Sequence, residues 1–596
     1  MEAYFSNLHF RTTLAGVLLG LIATIYFVVG QAGFLANPIL NFSVAAALGA
    51  VLIFFGEFFI SVWRKTNWVG RILWITILLI LIFETLLSCV PPTARDELTH
   101  HLAIPKLYAN AGRIREVPIA LYAYFPMLLD MLYTPWVLWR LDFVPKIVHG
   151  LYGYLTGMLI FAYVSRHMNS TYGLLGFFFF ISTPTVLRLL HWAYVDLGVT
   201  FYTTAALLSL LEWREVKDRH SWLVLTALSA GFAAATKPNG FLAAGILSAM
   251  FLFCAGGEPT RARGKMFTEI FLFGILAALP VLPWLVKNWQ QTGNPFFPLL
   301  ASYFPQATYA GAGVPTFVSL GVIIKRELVY GESWWQIAAL PLRLFLFGKD
   351  DNPQYFDGAL SPALILFLPW AFKGKWLDEK KLLFGFAALF LAFAVVLVDL
   401  RARYILPIVP PLAMLLAYGV FNLYLGVKQP CYLIAVLIAC AVFNGSYLWS
   451  YFRDVAPWPY IVGRESRVNF LTRTVPEFPV FEYVNRELPE GAKIYLIFIG
   501  RRSYYCDRDY FHDAGELPGF LLTTLRSAQN SSEVGQALAR ARLTHLMAQI
   551  DLLTRYLREN LTPQQAAIWN DFVAQELHLV FQDRGYAVFH LQRRPP

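Results

Sequence analysis

Long apolar runs recur along the first 450 residues of this 596-residue chain, and they constrain its fold more than any other feature. An α-helix needs about 20 mainly apolar residues to cross a lipid bilayer. By that criterion the sequence predicts about thirteen membrane-spanning helices, the first beginning near residue 13 and the last ending near residue 450. Hydrophobic residues make up 57% of the chain and charged residues only 14%, which excludes an ordinary soluble globular protein. We therefore predict a mainly α-helical, polytopic membrane domain over residues 1–450.

The segment from Leu121 to Trp139 decides how these helices are oriented. It is apolar and long enough to cross, but it contains Pro126, Asp130 and Pro135. If it lies along the membrane surface, Lys and Arg are concentrated in the turns that would be cytoplasmic, as membrane proteins prefer; if it crosses, this asymmetry inverts. We therefore interpret the segment as an interfacial helix. The N-terminus is then cytoplasmic, and the C-terminus lies on the outer side.

Two long loops and a C-terminal domain are predicted on the outer side. The first loop covers about 91–144, and the second covers about 287–358. From residue 451 the composition becomes that of a soluble protein, and residues 451–596 predict a small α/β domain. Thr562 and Pro563 predict the start of a helix that runs to about residue 576. Strands are predicted in four segments rich in β-branched and aromatic residues, at 493–500, 544–550, 577–581 and 586–591.

The first outer loop carries the most concentrated set of candidate reactive side chains. Asp96 and Glu97 are followed by His100 and His101, and on a helix the spacing of four puts each acid beside one imidazole. Lys106 follows shortly afterwards. A solvated, capped loop is the structural alternative for this segment. The pattern becomes more informative when it is combined with other charges on the same face.

Other ionisable residues lie at predicted outer helix ends, where they are costly unless they are paired or functional. They are Asp196 with His191 and Tyr194, then Lys237, and Arg401 with Arg403. Each of them alone is more often an interfacial residue than a ligand. Together with the first loop they predict carboxylates surrounded by cations at the outer membrane surface. A carboxylate can accept a proton from an attacking hydroxyl, and cations can stabilise a departing phosphate.

On these residues the chain resembles the GT-C superfamily of integral-membrane glycosyltransferases, which use polyprenyl-phosphate sugars. The resemblance extends from about Val90 to about Leu425, and it is similar to the branch of bacterial protein O-mannosyltransferases and the lipid A aminoarabinose transferase. Its marks are Asp96-Glu97 in the first outer loop, the segment from Leu121, the second outer acid Asp196, and RARYILPIVPP after a late span. The sequence departs from the pattern in having two membrane helices before the span that leads into this loop.

The resemblance implies an inverting transferase in a bacterial-type inner (plasma) membrane, with its active site and C-terminal domain on the periplasmic side. The donor would be a polyprenyl (undecaprenyl-type) phosphate sugar. The acceptor would be a glycan, lipid or protein hydroxyl, with membrane lipids as further partners. In the catalytic set, Asp96 is the implied base, and Glu97 and Asp196 would orient acceptor or sugar. The implied donor phosphate ligands are Lys106, Arg401 and Arg403, and the acceptor or sugar ligands are His100, His101, His191, Tyr194 and Lys237.

Several alternatives stay open from sequence. No cofactor is expected to be required, but a divalent metal at Asp96, Glu97, His100 and His101 is compatible with their residue types. En bloc transfer of an oligosaccharide from a lipid pyrophosphate, and transport of a lipid-linked sugar, are the alternative functions. The formal net charge of +10 does not indicate nucleic-acid binding, because the cations lie in short clusters between apolar runs.

Overall fold

The computed structural model describes residues 2–215, 219–257, 263–304, 322–373, 377–397, 400–426, 428–513 and 517–592. The helices of the first half are α1 (Glu2–Gln31), α2 (Pro38–Lys65), α3 (Trp68–Ser88), α4 (Ala103–Ala111), α5 (Leu128–Leu138), α6 (Val144–His167), α7 (Ser170–Ile181), α8 (Pro184–Leu190), α9 (Asp196–Glu215), α10 (Arg219–Thr236), α11 (Pro238–Gly256), α12 (Arg263–Ala278) and α13 (Leu282–Thr292). The later helices of the membrane domain are α14 (Val322–Leu328), α15 (Trp334–Ala338), α16 (Leu340–Leu346), α17 (Ala363–Leu366), α18 (Leu368–Ala371), α19 (Asp378–Leu397), α20 (Val409–Gly426) and α21 (Pro430–Val455).

The C-terminal part contains a five-stranded sheet and further helices. Its helices are α22 (Trp458–Ile461), α23 (Arg467–Thr474), α24 (Phe478–Glu487), α25 (Gly519–Ser527), α26 (Ser531–Arg540), α27 (Ile550–Asn560) and α28 (Pro563–Glu576). Its strands are β1 (Lys493–Ile497), β2 (Asp509–Phe511), β3 (His545–Gln549), β4 (Leu577–Asp583) and β5 (Tyr586–Leu591). Short turns of other helix types include a π-helix (Glu97–His101) and 3-10 helices at Leu121–Tyr124 and Ala402–Ile408.

The chain is a mainly α-helical, multi-pass membrane protein, as its apolar runs predict. Within the described ranges, seven helices are long and apolar enough to cross a membrane. The number rises to nine if the pairs α7–α8 and α12–α13, bent by 74° and 54°, each form one span. The predicted number of about thirteen spans is therefore not confirmed.

The apolar run at residues 359–372 is one of the spans that the sequence predicts, and this prediction is wrong. This segment forms α17 and α18, two helices of four residues each. Pro362 precedes the first helix and Pro369 lies in the first turn of the second. Proline lacks the amide hydrogen that would continue a preceding helix, so an apolar run interrupted by two prolines does not form one long helix.

The segment interpreted as an interfacial helix is buried among other helices, and its position at the membrane surface stays a prediction. It forms the 3-10 helix Leu121–Tyr124 and then α5, whose 11 residues extend only about 16 Å, too short to cross a membrane. Most side chains of α5 are buried, and the helix packs against α1, α4 and α6. Asp130 is 1% exposed and has a histidine partner, which explains how an acidic residue is accommodated in a buried helix.

The membrane domain is built around α6, α9, α10 and α20, which are almost entirely buried. The turn between α10 and α11 is especially tight. A Cβ atom on Gly240 would lie only 1.8 Å from the carbonyl oxygen of Ala233, so only glycine fits. This close approach fixes the start of α11 and, just before it, Lys237.

The four predicted strands of the C-terminal domain and the helix after Thr562 are confirmed. The strand order is β2-β1-β3-β5-β4; β1 is parallel to β2 and β3, and β5 is antiparallel to β3 and β4. Strand β2 was not predicted, because three residues are too few to show a periodic pattern. The Thr562 side chain and Gln565 form a capping box at the start of α28.

The C-terminal domain docks on the first outer loop through the segment that follows β1. The Tyr504 amide donates to Leu98 O at 3.1 Å, and the Tyr505 hydroxyl donates to Pro92 O at 2.6 Å. The Lys106 ammonium donates to Tyr504 O at 2.7 Å and to Asp507 Oδ1 at 2.6 Å. These contacts fix the domain against the loop that carries the candidate acids.

Candidate active site

A cavity of about 940 Å³ opens between the membrane domain and the C-terminal domain. The first outer loop, the start of α11, the 3-10 helix Ala402–Ile408 and the segment before α17 all contribute to its wall. The candidates from sequence that line it are Asp96, His100, His101, Tyr194, Lys237, Arg401 and Arg403. Tertiary structure thus brings together residues separated by more than 300 positions in the chain.

An ion pair between Asp96 and Arg403 lies on the cavity wall. Arg403 Nη1 donates to Asp96 Oδ2 at 2.6 Å, and the Asp96 side chain is 20% exposed. The Asp96 amide donates to the Tyr194 hydroxyl at 3.1 Å, and the Arg403 guanidinium lies 5.1 Å from the Tyr194 ring centroid. Burial acts to raise the pKa of Asp96, but Arg403 and the two neighbouring histidines hold this pKa well below its usual range. Asp96 is therefore a carboxylate at neutral pH.

Glu97 has a different environment from its neighbour and does not line the cavity. Its side chain is fully buried and accepts three backbone N–H bonds, from Thr93 at 3.0 Å, Ala94 at 2.8 Å and Ala193 at 2.6 Å. Burial raises the pKa of Glu97, against the opposing effects of Lys146 and the three amides. Glu97 therefore joins the first outer loop to the turn before α9 and positions Asp96.

The two histidines lie side by side on the π-helix, with ring centroids 4.1 Å apart. His101 Nδ1 is 2.8 Å from Asp130 Oδ1, and His100 stacks on Tyr122 with ring centroids 4.2 Å apart. Burial lowers the pKa of His101 to about 3 and that of His100 well below its usual value. Both imidazoles are therefore neutral at pH 7 and available as hydrogen-bonding groups. π-Helical turns of this kind are frequent at functional sites.

Lys237 and Asp196 form a second ion pair next to the first. Lys237 Nζ donates to Asp196 Oδ1 at 2.7 Å and lies 4.7 Å from the Tyr404 ring centroid. Asp196 is 1% exposed, and its other oxygen has no hydrogen-bond partner among the described residues. Asp196 also lies in the first turn of α9, where the helix dipole favours a negative charge. Only Lys237 of this pair lines the cavity.

The end of the second outer loop supplies acidic residues that are not among the candidates from sequence. Arg401 Nη1 donates to Asp357 Oδ2 at 3.1 Å, and Arg188 Nη2 donates to Asp351 Oδ1 at 2.6 Å. Arg188 Nη1 is also 3.1 Å from Asp350 Oδ1. All of these residues line the cavity. In the sequence these acids appear in the run KDDNPQYFDG. Their arginine partners are distant in the chain and are identified only in the folded structure. Of that loop, residues 305–321 lie outside the described residues.

Two further candidates, in addition to Glu97 and Asp196, lie outside the cavity wall. His191 is buried, with its Nδ1 at 2.6 Å from Glu84 Oε2, and Lys106 contacts the C-terminal domain as described above. The geometry favours a docking role for Lys106, and its phosphate contact stays a prediction. The metal alternative is not supported by geometry, because Glu97 and His101 are committed to other partners. In the part of the chain that the structure describes, no three His, Cys, Asp or Glu side chains are grouped as a metal would require.

Solved structures are similar to this one. ArnT from Cupriavidus metallidurans in the apo state has a TM-score of 0.52 and 14% identity, covering 87% of this chain and 97% of ArnT. The structure of the same protein bound to undecaprenyl phosphate has a TM-score of 0.50 and 13% identity, covering 88% and 98%. The oligosaccharyltransferase AglB from Archaeoglobus fulgidus has a TM-score of 0.45 and 12% identity, covering 87% and 74%. No family model and no curated protein matches the sequence. The likeness to ArnT shows that the chain has the GT-C fold.

Proposed function

We propose that the protein is an inverting glycosyltransferase that moves a sugar from a polyprenyl (undecaprenyl-type) phosphate to an acceptor hydroxyl on the outer face of the membrane. The observation that carries this proposal is the Asp96–Arg403 ion pair on the cavity wall, which places a carboxylate and a guanidinium within one site. The fold supports it, because one ArnT structure with this fold holds undecaprenyl phosphate. A fold alone does not define a function, so the proposal depends on the site.

In the proposed reaction Asp96 accepts the proton of the acceptor hydroxyl. The acceptor oxygen forms a bond to the anomeric carbon of the sugar from the face opposite the phosphate. The bond between that carbon and the phosphate oxygen breaks, and polyprenyl phosphate leaves with the bonding electrons. Arg403 stabilises the charge that develops on the departing phosphate. The configuration at the anomeric carbon is inverted.

The ion pair itself suggests an order of events. With Arg403 as its partner, Asp96 is a weak base, because its pKa is held well below the usual range. A donor phosphate that takes over the guanidinium would remove this partner and raise the basicity of Asp96. Donor binding would then activate the base for the acceptor. Without bound donor, the Asp96 carboxylate stays paired with Arg403 and remains a weak base.

The remaining residues of the cavity have supporting roles in this proposal. Lys237 and Arg401 are cations that can contact the phosphate or sugar hydroxyls, each held by its own carboxylate, Asp196 or Asp357. The neutral imidazole of His100 can exchange hydrogen bonds with a sugar, and its Nδ1 has no partner in the described part of the chain. Glu97 is a positioning residue. The cavity and the C-terminal domain face the outer side in the orientation that the distribution of cations favours.

The test is sugar transfer by the full-length protein in nanodiscs, supplied with polyprenyl-phosphate sugars and membranes from a deletion strain. Asp96→Asn should reduce transfer by about 10³-fold, because the carboxylate base is lost. Asp571→Asn, at an exposed acid on α28, is the matched control and should keep wild-type transfer. Retained transfer in Asp96→Asn at equal amounts of folded protein would contradict the proposal.

The lipid product distinguishes the alternative of en bloc transfer. The proposed reaction releases polyprenyl monophosphate, whereas transfer from a lipid pyrophosphate releases the diphosphate. Mass spectrometry of the lipid fraction separates these two products. Mass spectrometry of cell-surface glycans and proteins from the deletion strain then identifies the missing sugar.

A further inference from the structure

A second, smaller cavity of about 250 Å³ lies in the C-terminal domain at the carboxyl ends of its parallel strands. Its wall includes residues 496–500 at the end of β1, His512 and Asp513 after β2, and Leu552 in the helix that follows β3. In sheets with parallel strands, ligands bind in the crevice at this edge. All three parallel strands of the sheet therefore end at the same cavity.

This cavity is adjacent to the candidate active site. Arg95 and Arg501 line both cavities. The Arg501 guanidinium lies 5.8 Å from the ring centroid of Tyr122, and Tyr122 stacks on His100. Two cations thus mark the boundary between the smaller cavity and the one that contains Asp96.

The segment between the cavities is held in a specific conformation. Phe498 and Arg501 have φ values of 54° and 58°, in the left-handed region that non-glycine residues rarely adopt. Immediately afterwards, Tyr504 and Tyr505 bond to the first outer loop. Such backbone strain persists only where the surrounding structure enforces it, and it is concentrated at functional sites. Arg501 is therefore held in a defined position relative to the catalytic loop.

The size and lining of the smaller cavity indicate what it binds. At about 250 Å³ it is below the range of roughly 300–1,000 Å³ that is usual for a complete ligand pocket, so it suits part of a larger molecule. Its wall is mostly apolar, with Leu496, Ile497 and Leu552 among the lining side chains. Arg95 and Arg501 are the only lysine or arginine residues among those that line it in the described part of the chain, and both also line the active-site cavity.

We propose that the smaller cavity is the acceptor subsite and that the acceptor carries an anionic group, a phosphate or a carboxylate, which binds at Arg95 and Arg501. The acceptor hydroxyl then extends into the larger cavity towards Asp96, and the less polar part of the acceptor occupies the end of the sheet. This inference rests on the proposed function and assigns its acceptor class. It gives the C-terminal domain a direct part in substrate selection.

The experiment measures binding of small anionic probes to the full-length protein in detergent, saturated with undecaprenyl phosphate so that the donor phosphate site is filled. The probes are glucosamine 6-phosphate and glucuronate, with N-acetylglucosamine as the neutral control. We expect saturable binding of at least one anionic probe and none of the neutral sugar at the same concentration. The anionic probe that binds with the higher affinity shows whether phosphate or carboxylate is the group that is recognised.

Three variants locate the binding. Arg501→Gln should lower the affinity for the anionic probe by about tenfold, because a charge-assisted hydrogen bond is lost. Leu552→Trp should also lower this affinity, because the larger side chain fills the smaller cavity. Leu579→Trp, at a similarly exposed leucine on β4, is the matched control and should bind like the wild type.

Affinity for undecaprenyl phosphate is measured for each protein and separates the two proposals. If the wild type does not bind undecaprenyl phosphate, the proposed function fails. If it does, the acceptor inference is overturned by probe affinities that are unchanged in Arg501→Gln and Leu552→Trp. It is also overturned if the probes displace undecaprenyl phosphate instead of binding beside it.

Discussion

Two clusters of buried charge lie at opposite ends of α9, and only one of them belongs to the candidate active site. At its N-terminal end, predicted to be the outer one, Asp196 pairs with Lys237, next to Asp96 and Arg403. At its C-terminal end, predicted to be the inner one, Glu212 pairs with Arg166, and His9 Nδ1 lies 3.5 Å from Glu212 Oε1. The inner cluster joins α1, α6 and α9 and lines neither of the two cavities described. Both clusters contain buried ion pairs, so it is access to a cavity that distinguishes the candidate active site from the inner cluster.

The largest predicted effect is the difference in sugar transfer between a variant of Arg403, in the outer cluster, and a variant of Arg166, in the inner cluster. Arg403→Ala should lower sugar transfer by about 10²–10³-fold, because the developing charge on the phosphate loses its partner. Arg166→Ala should change transfer per folded molecule by less than about twofold, while lowering thermal stability through the unpaired Glu212. Transfer rates in nanodiscs and thermal unfolding of the same preparations provide the comparison. Equal loss of transfer in both variants would remove the distinction between the clusters.

Variants of the Lys237–Asp196 pair should distinguish effects on stability from effects on activity within the outer cluster. Lys237→Met should lower the free energy of unfolding by about 3 kcal/mol, because it leaves Asp196 buried and uncompensated. It should also reduce transfer by roughly 10²-fold through loss of a cavity cation. The double variant with Asp196→Asn should recover most of the stability. If the double variant recovered transfer as well, Lys237 would have no role beyond neutralising Asp196.

Substitution of Glu97 should affect stability more than transfer, as in the inner cluster, although Glu97 is next to Asp96 in sequence. Glu97→Gln presents an amide to backbone donors, which should cost about 1–3 kcal/mol of stability. Transfer should fall by about tenfold, because Asp96 loses part of its support. A thousandfold loss, equal to that of Asp96→Asn, would instead indicate that Glu97 acts directly in the reaction. Chemical unfolding and transfer assays on both variants decide between these roles.

The smallest effect is expected from pH. The pKa of Asp96 is held well below its usual range, so this carboxylate remains ionised on acidification to pH 5. The pKa of His101 is lowered to about 3 and that of His100 is also lowered, so both remain neutral from pH 8 down to pH 5. The value of kcat/KM for the donor should therefore vary by less than about twofold between pH 5 and pH 8. A change in kcat/KM centred near pH 6.5 that is absent in the His100→Asn variant would contradict this prediction, because it would show that His100 titrates in this range.

The sequence predicted the fold class well where periodicity and composition are local signals. Long apolar runs became helices, and β-branched segments after residue 451 became four of the five strands. It failed where prolines divided an apolar run at residues 359–372, and where a strand of three residues was too short for a pattern. The burial of the segment from Leu121 did not follow from the sequence either. Apolar character suits both a membrane surface and a protein core, and only packing partners distinguish them.

For the site, the sequence supplied the residue types and the tertiary structure supplied their pairing. Apolar run length and the Asp-Glu pair followed from the chain alone, because each depends on neighbours within about 20 positions. That Asp96 faces Arg403, that Glu97 instead binds three amides, and that Arg501 of the C-terminal domain reaches the cavity depended on folding. Hydrogen bonds and ion pairs act over a few ångströms, and sequence separation does not report which distant side chains come within that range.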